Sequence, residues 1–190
     1  KMSLTTLDIK EPGLNALPPG VERYVVEGGG LTGIQILPDD EIKIINNEGN
    51  QICEISVFNK DGKSELAILG LKKIKDNSEI KKILFKKDET SLQALLQLKK
   101  RNLNIEKSKS SIIFDKETKA GESIKLKSKD KCYCIIAAPG NEMMVYEQNP
   151  STELTVMVKR SIIKKDKEFS IIPDPVYDPS NEINIERTTA

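Results

Sequence analysis

The chain has 190 residues, with 30 Lys plus Arg, 29 Asp plus Glu and no His, so its net charge is +1. This balance gives no electrostatic reason to expect nucleic acid or an anionic membrane as a partner, and the length suits one domain with short appendages. No apolar stretch approaches the roughly 20 residues that cross a bilayer, and the first residues lack the apolar segment of a secretory signal. We therefore expect a cytoplasmic protein.

The first third of the chain predicts β-strands. Residues 1–20 contain several prolines and glycines and predict an irregular lead-in. Short β patterns then alternate with turn signals such as Gly28-Gly29-Gly30 and Asn59-Lys60-Asp61-Gly62, and the latter is typical of a hairpin. The predicted strands are 21–27, 31–37, 41–45 and 51–58.

The middle of the chain changes to a helical period. The spacing of Ile80, Ile83 and Leu84 predicts a helix over 78–87. Asp88 or Thr90 is suited to cap a second helix, which ends near 102–104. The apolar positions of this second helix are Leu92, Leu95 and Leu96.

Strand patterns return in the last part of the chain, at 111–115, 122–126, 132–137 and 154–159, with a weaker one at 168–172. Short, regularly spaced strands favour a sandwich or barrel over a βαβ sheet. The predicted fold is mainly β, an antiparallel β-sandwich or barrel-like domain over 21–172, with two short helices inserted at about 77–103. Residues 173–190 predict a linker and the start of a possible following domain.

Apolar residues on the expected inner faces of these elements form the predicted core: Val25, Ile34, Ile36, Ile42, Ile44, Ile55, Val57, Leu95, Ile113, Ile124, Ile135 and Val156. We also expect Gly49 and Gly140 to occupy backbone positions at which a Cβ would be strained.

Two phosphate-binding motifs are present only in part. Gly28, Gly30 and Gly33 match G-x-G-x-x-G, but that fingerprint requires a helix after the glycines, and a strand pattern follows here. Gly62 stands in Gly-Lys-Ser, yet Val57 occupies the position where a P-loop needs its first glycine. We interpret both segments as turns.

The residue types restrict the possible chemistry. Without histidine, Ser-His-Asp and Cys-His catalysis are excluded, and the usual base at neutral pH is missing. A metal site would have to combine Cys53, Cys132 and Cys134 with a carboxylate such as Glu54. The alternative is that the three cysteines are small residues buried in strands. Their odd number does not suggest a disulfide framework.

Two segments resemble a known family. Residues 42–54, IKIINNEGNQICE, resemble the I-x-D-x-x-G-x-Q-x-x-D segment of urea-carboxylase-associated domains. Residues 134–143, CIIAAPGNEM, and 149–154, NPSTEL, resemble the closing turn and last strand of the same family. Such domains also precede the folate-binding module of some glycine-cleavage T-protein-like aminomethyltransferases.

Departures from the family pattern shape what the resemblance implies. The family's central Cys/His segment has no counterpart, Glu54 replaces the usual Asp, and Ala138 stands where many members carry Cys. The resemblance therefore implies a degenerate, non-catalytic accessory domain of an aminomethyltransferase-like protein. Tetrahydrofolate would belong to the parent protein, and following domains or a homo-oligomer would be the partners. The alternative is a stand-alone protein that binds a small amine or amide near Gln51, Cys53 and Glu54.

Overall fold

A computed structural model describes residue 9 and residues 20–76, 78–140 and 150–161. Two α-helices, α1 (Ser78–Leu84) and α2 (Glu89–Lys100), follow a 3-10 turn at Leu66–Leu69. The described strands are β1 (Val21–Val26), β2 (Leu31–Ile36), β3 (Glu41–Asn46), β4 (Cys53–Phe58), β5 (Ser111–Phe114), β6 (Glu122–Lys127), β7 (Cys132–Ala137) and β8 (Leu154–Lys159). The predicted lead-in, apart from residues 9 and 20, and the predictions for 168–190 lie outside the described residues.

The strands form two four-stranded antiparallel sheets, ordered β1-β8-β3-β6 and β2-β7-β4-β5. The chain changes sheet at every connection except the one between β4 and β5. This strand order is that of a jelly roll, in which two Greek keys are folded face to face. The predicted mainly β sandwich with a helix pair between strands is therefore confirmed.

The main core fills the space between the two sheets. Seven of the predicted core residues are almost fully buried in it: Ile34, Ile36, Ile42, Ile44, Ile55, Val57 and Val156. The predicted Ile113 and Ile124 are partly buried and pack against this core. Burying one such side chain stabilises the fold by about 1.5–3 kcal/mol. The prediction for Val25 was wrong, because β1 turns Tyr24 and Val26 inward and leaves Val25 half-buried.

The two helices form a third layer on the outer face of the β2-β7-β4-β5 sheet. Ile80, Leu84 and Leu98 pack there against sheet residues such as Phe58 and Ile135. Both faces of this sheet are therefore covered, which explains why β4 is buried at every position. Ile135 is buried as predicted, but in this second core and not between the sheets.

Helix α2 begins at the predicted N-cap, but the residues on its buried face differ from the predicted ones. Asp88 is the N-cap, and its Oδ1 accepts a hydrogen bond from the Ser91 amide at 2.7 Å. The buried positions are Ser91, Ala94 and Leu98, while the predicted core residue Leu95 is only partly buried. No helix among the described residues has the length and apolar character to cross a membrane.

Two glycine predictions had different outcomes. Gly49 has φ +79°, and a Cβ there would lie 2.6 Å from the Ala120 nitrogen, so its backbone position requires glycine. The prediction for Gly140 was wrong, since a Cβ would meet nothing within 4 Å and its φ is outside the left-handed region.

Candidate functional site

A cleft lies between the β1–β2 connection and the helix pair, and we call it the glycine-turn cleft. Its volume is about 450 Å³. The turn Gly28-Gly29-Gly30 forms one wall, and the end of α1 with the first turn of α2 forms the other. Leu31, Ile83, Leu84 and Ala94 supply apolar surface, while Glu27, Lys86 and Asp88 supply charge.

The Gly29 and Gly30 amides, which a phosphate in the cleft would need, already have partners within the chain. The Gly29 amide donates to the Ala138 carbonyl at 2.7 Å, and the Gly30 amide donates to the Glu27 carbonyl at 2.9 Å. The carboxylate of Asp88 occupies the N-terminus of α2, and the hydrogen bond from the Ser91 amide lowers its pKa. The glycine motif is thus a turn between strands, and the cleft favours neutral or cationic molecules over phosphate.

Gln51, which the sequence predicts as a ligand-binding residue, lies buried just before β4. Its Nε2 donates to the carbonyls of Ile52 at 2.9 Å and Pro139 at 2.8 Å, and its Oε1 accepts from the Thr152 amide at 2.8 Å. The side chain therefore ties the start of β4 to the segments after β7 and before β8. These bonds use the polar atoms that a ligand would need.

Glu54, the second predicted ligand-binding residue, is 1% exposed and lies beneath α1. Its Oε1 accepts from the Ile80 amide at 3.1 Å, which fixes the first turn of α1 to β4. Burial raises the pKa of Glu54, and the amides of Ile80 and Glu79 partly offset this effect. Glu54 also borders a second, shallower cleft of about 330 Å³ that contains Lys75 and Asp115.

The three cysteines are buried free thiols, and only Cys132 and Cys134 lie close together. The sulfurs of Cys132 and Cys134 lie 3.8 Å apart on the inner face of β7. Val57 pairs with Cys134, which places Cys53 four residues away along β4, or about 13 Å. Among the described residues no three Cys, Asp or Glu side chains are placed to hold one metal ion, so the trio considered from sequence is not assembled.

A buried charge cluster, which was not predicted from the sequence, closes one end of the sandwich. Arg160 follows β8, and its Nη2 donates to Glu22 Oε1 at 2.8 Å. Its Nη1 donates to Asp40 Oδ2 at 2.7 Å and to the Gln35 carbonyl at 2.9 Å. All three charged side chains are at most 3% exposed. The sequence signal was available in β1, where Glu22 and Tyr24 share the inward phase of Val26.

Tyr24 connects this cluster to the glycine-turn cleft. Tyr24 is among the residues that line the cleft, and its hydroxyl donates to Glu22 Oε1 at 2.5 Å. Burial and the neighbouring Glu22 carboxylate raise the pKa of Tyr24, so the hydroxyl stays a hydrogen-bond donor. Burial alone would lower the pKa of Arg160, but Glu22 and Asp40 outweigh it and raise that pKa. Arg160 therefore keeps its charge while it is hydrogen-bonded to Glu22 and Asp40.

Comparison with known proteins relates the chain to one part of a longer enzyme. No protein-family model matches the chain. The chain is 33% identical over 183 residues to a trimethylamine-oxide aldolase from Ruegeria pomeroyi, and this alignment covers 96% of the chain. It covers 23% of the aldolase, so the chain spans about a quarter of that relative's length. The similarity supports a relationship to that enzyme, and not the narrower assignment to urea-carboxylase-associated domains.

Proposed function

We propose that this chain is a non-catalytic jelly-roll domain of a larger enzyme related to trimethylamine-oxide aldolase. The observation that carries the proposal is the use of the buried polar side chains. Arg160 and its carboxylates, Gln51 and Glu54 all make hydrogen bonds that join segments of the domain itself. The similarity to 23% of a much longer enzyme supports the same reading, since it leaves room for the chemistry in other domains.

The narrower form of the proposal places the domain in an aminomethyltransferase-like protein of one-carbon metabolism. The resemblance of residues 42–54 and 134–143 to domains that precede folate-binding modules supports this form. In it, tetrahydrofolate binds a following domain, and this domain provides packing or oligomer contacts. Fold likeness by itself is a poor guide to activity, so activity has to be measured.

The test measures size first and activity second. An immunoblot of source cells with antibody to residues 20–160 is expected to show a polypeptide several times larger than 21.2 kDa. The purified native polypeptide is then compared with the 190-residue chain for consumption of trimethylamine N-oxide, followed by NMR. We expect turnover only by the longer protein. A native band at 21.2 kDa, or turnover by the chain alone, would refute the proposal.

A second function, binding of a small amine or amide, is favoured by the glycine-turn cleft. Its apolar wall and its carboxylates suit a small neutral or cationic molecule. Thermal-shift measurements with amines and amides test this, with Thr90→Trp filling the cleft and Gln93→Trp as the control on the exposed face of α2. A ligand of the cleft stabilises the wild type and the control, but not Thr90→Trp. Equal shifts in all three proteins would place binding elsewhere.

A further inference from the structure

The outer face of helix α2 carries an apolar stripe that the described fold does not cover. Ala94 and Leu98 lie on the inner face and are buried. Leu92 and Leu96, one helical turn apart on the outer face, are 51% and 57% exposed. A surface helix needs only one apolar face to pack on its own domain, so packing within the described part of the chain does not explain the outer leucines.

Charged residues stand at both ends of this stripe. Helix α2 has two acidic residues at its start and two basic residues at its end, all four exposed: Asp88, Glu89, Lys99 and Lys100. Each acidic residue is as far before Ala94 as one of the basic residues is after it. Leu92 and Leu96 are likewise equally far from Ala94. The pattern is therefore complementary to itself when the direction of the helix is reversed.

The four charged residues also lie on the same side of the helix as the leucines. At about 100° per residue, the two leucines and the four charges fall within an arc of about 120°, opposite to the buried face. One edge of this arc carries Glu89 and Lys100, and the other edge carries Asp88 and Lys99. Each edge thus has one acid at its start and one base at its end.

We propose that the outer stripe of α2, Leu92 and Leu96 with the four charges at its ends, binds the same stripe of a second copy of this chain. The two helices run antiparallel about a two-fold axis that passes near Ala94. In a two-fold contact one surface supplies both halves of the interface, and this stripe has the required self-complementary pattern. The contact does not require a longer polypeptide, so it is independent of the proposed function.

The antiparallel direction brings opposite charges together on both edges of the contact. On one edge, Glu89 of each copy lies beside Lys100 of the other. On the opposite edge, Asp88 lies beside Lys99, and in both pairs the offset along the helix axis is about 1.5 Å. A parallel contact would instead set like charges side by side, which is unfavourable. The leucines of the two copies meet between these edges and exclude water from each other.

The size of the stripe and the charge around it predict a weak dimer. Helix α2 has 12 residues and is about 18 Å long, so two such helices bury less than the roughly 1,000 Å² of a stable interface. Residues 72–109 contain 12 Lys or Arg and 5 Asp or Glu, a net charge of +7, so the insertions of two copies repel each other as a whole. We therefore expect a dimer that dissociates on dilution.

Sedimentation equilibrium of the 190-residue chain measures this contact. Leu96→Ser should raise the dissociation constant of the dimer by about tenfold or more, because one leucine of each copy leaves the interface. The control is Ile74→Ser, since Ile74 is 63% exposed but lies outside α2, and it should leave the dissociation constant unchanged. A wild-type chain that stays monomeric up to about 1 mM would overturn the proposal and leave the stripe to a different partner.

Exchanging two charges within one chain tests the two-fold geometry. Glu89→Lys and Lys100→Glu each place like charges beside one another, and each should raise the dissociation constant by about fivefold. The double variant restores opposite charges in every pair, so its dissociation constant should return to within about twofold of the wild-type value. Far-UV circular dichroism confirms that each variant is folded. A double variant that dimerises no better than the single variants would overturn the antiparallel contact, even if the chain dimerises through another surface.

Discussion

Replacing Arg160 with methionine tests whether the buried cluster holds the sandwich closed. Arg160 is 3% exposed and donates to Glu22 at 2.8 Å and to Asp40 at 2.7 Å. Methionine keeps an apolar chain in place but removes the guanidinium from two buried carboxylates. Removing one partner of a buried ion pair costs about 3–5 kcal/mol. At about 2–4 °C per kcal/mol for a chain of this size, we expect the Tm to fall by about 6–20 °C.

Urea unfolding followed by far-UV circular dichroism measures this loss. Arg23→Met is the matched control, because Arg23 adjoins Glu22 on β1 but is exposed, and its replacement should change the free energy of unfolding by less than about 0.5 kcal/mol. The double variant Arg160→Met with Asp40→Asn should lose less stability than the sum of the losses of the two single variants. The reason is that Asp40→Asn removes a carboxylate that Arg160→Met leaves without its partner. A loss for Arg160→Met no larger than that of the control would refute the reasoning.

Three further substitutions test other contacts of the fold. Gly62→Ala should cost about 3 kcal/mol or more, against about 1 for Gly121→Ala: both have φ near +80°, but only at Gly62 would a Cβ meet a backbone oxygen, that of Asn102. Urea unfolding compares the two. Gln51→Leu should lower the free energy of unfolding by about 2–3 kcal/mol in the same measurement, because it breaks the hydrogen bonds that join β4 to its neighbouring segments. An unchanged free energy of unfolding would show that these bonds do not hold the fold together and would favour a ligand-binding role for Gln51. Because the folded state raises the pKa of Glu54, folding takes up a proton, and stability falls as pH rises above the unfolded value of 4.5. The wild type should therefore lose stability relative to Glu54→Gln as the pH rises above 4.5, and parallel curves would contradict this.

Helix α2 lies where it was predicted, but its predicted core residue Leu95 is only partly buried. The leucine spacing is a local pattern, and it predicted a helix that begins at the Asp88 cap. With Leu92, Leu95 and Leu96 on one side and Ala94 and Leu98 on another, the pattern itself does not say which side meets the sheet. The neighbouring layer decides this, and it buries Ala94 and Leu98.

The candidate site was harder to predict than the strands, because its contacts join distant parts of the chain. Arg160 and Glu22 are 138 residues apart, and Gln51 bonds to Thr152 across 101 residues. The proposed ligand-binding role of Gln51 and Glu54 stays a prediction, although both are now placed in bonds that hold elements together. For the cysteines, a shared strand put Cys132 beside Cys134, whereas the pairing register of β4 kept Cys53 apart.

By itself, the sequence determined where strands, turns and helices lie, since alternation, glycine-rich turns and helix capping act over a few residues. It also excluded histidine chemistry. Only the tertiary structure decided which strands pair, that the order is a jelly roll, and which polar residues are buried together. The same apolar chemistry is buried at Ile135 and exposed at Leu96, because burial depends on what lies opposite a side chain and not on the side chain alone.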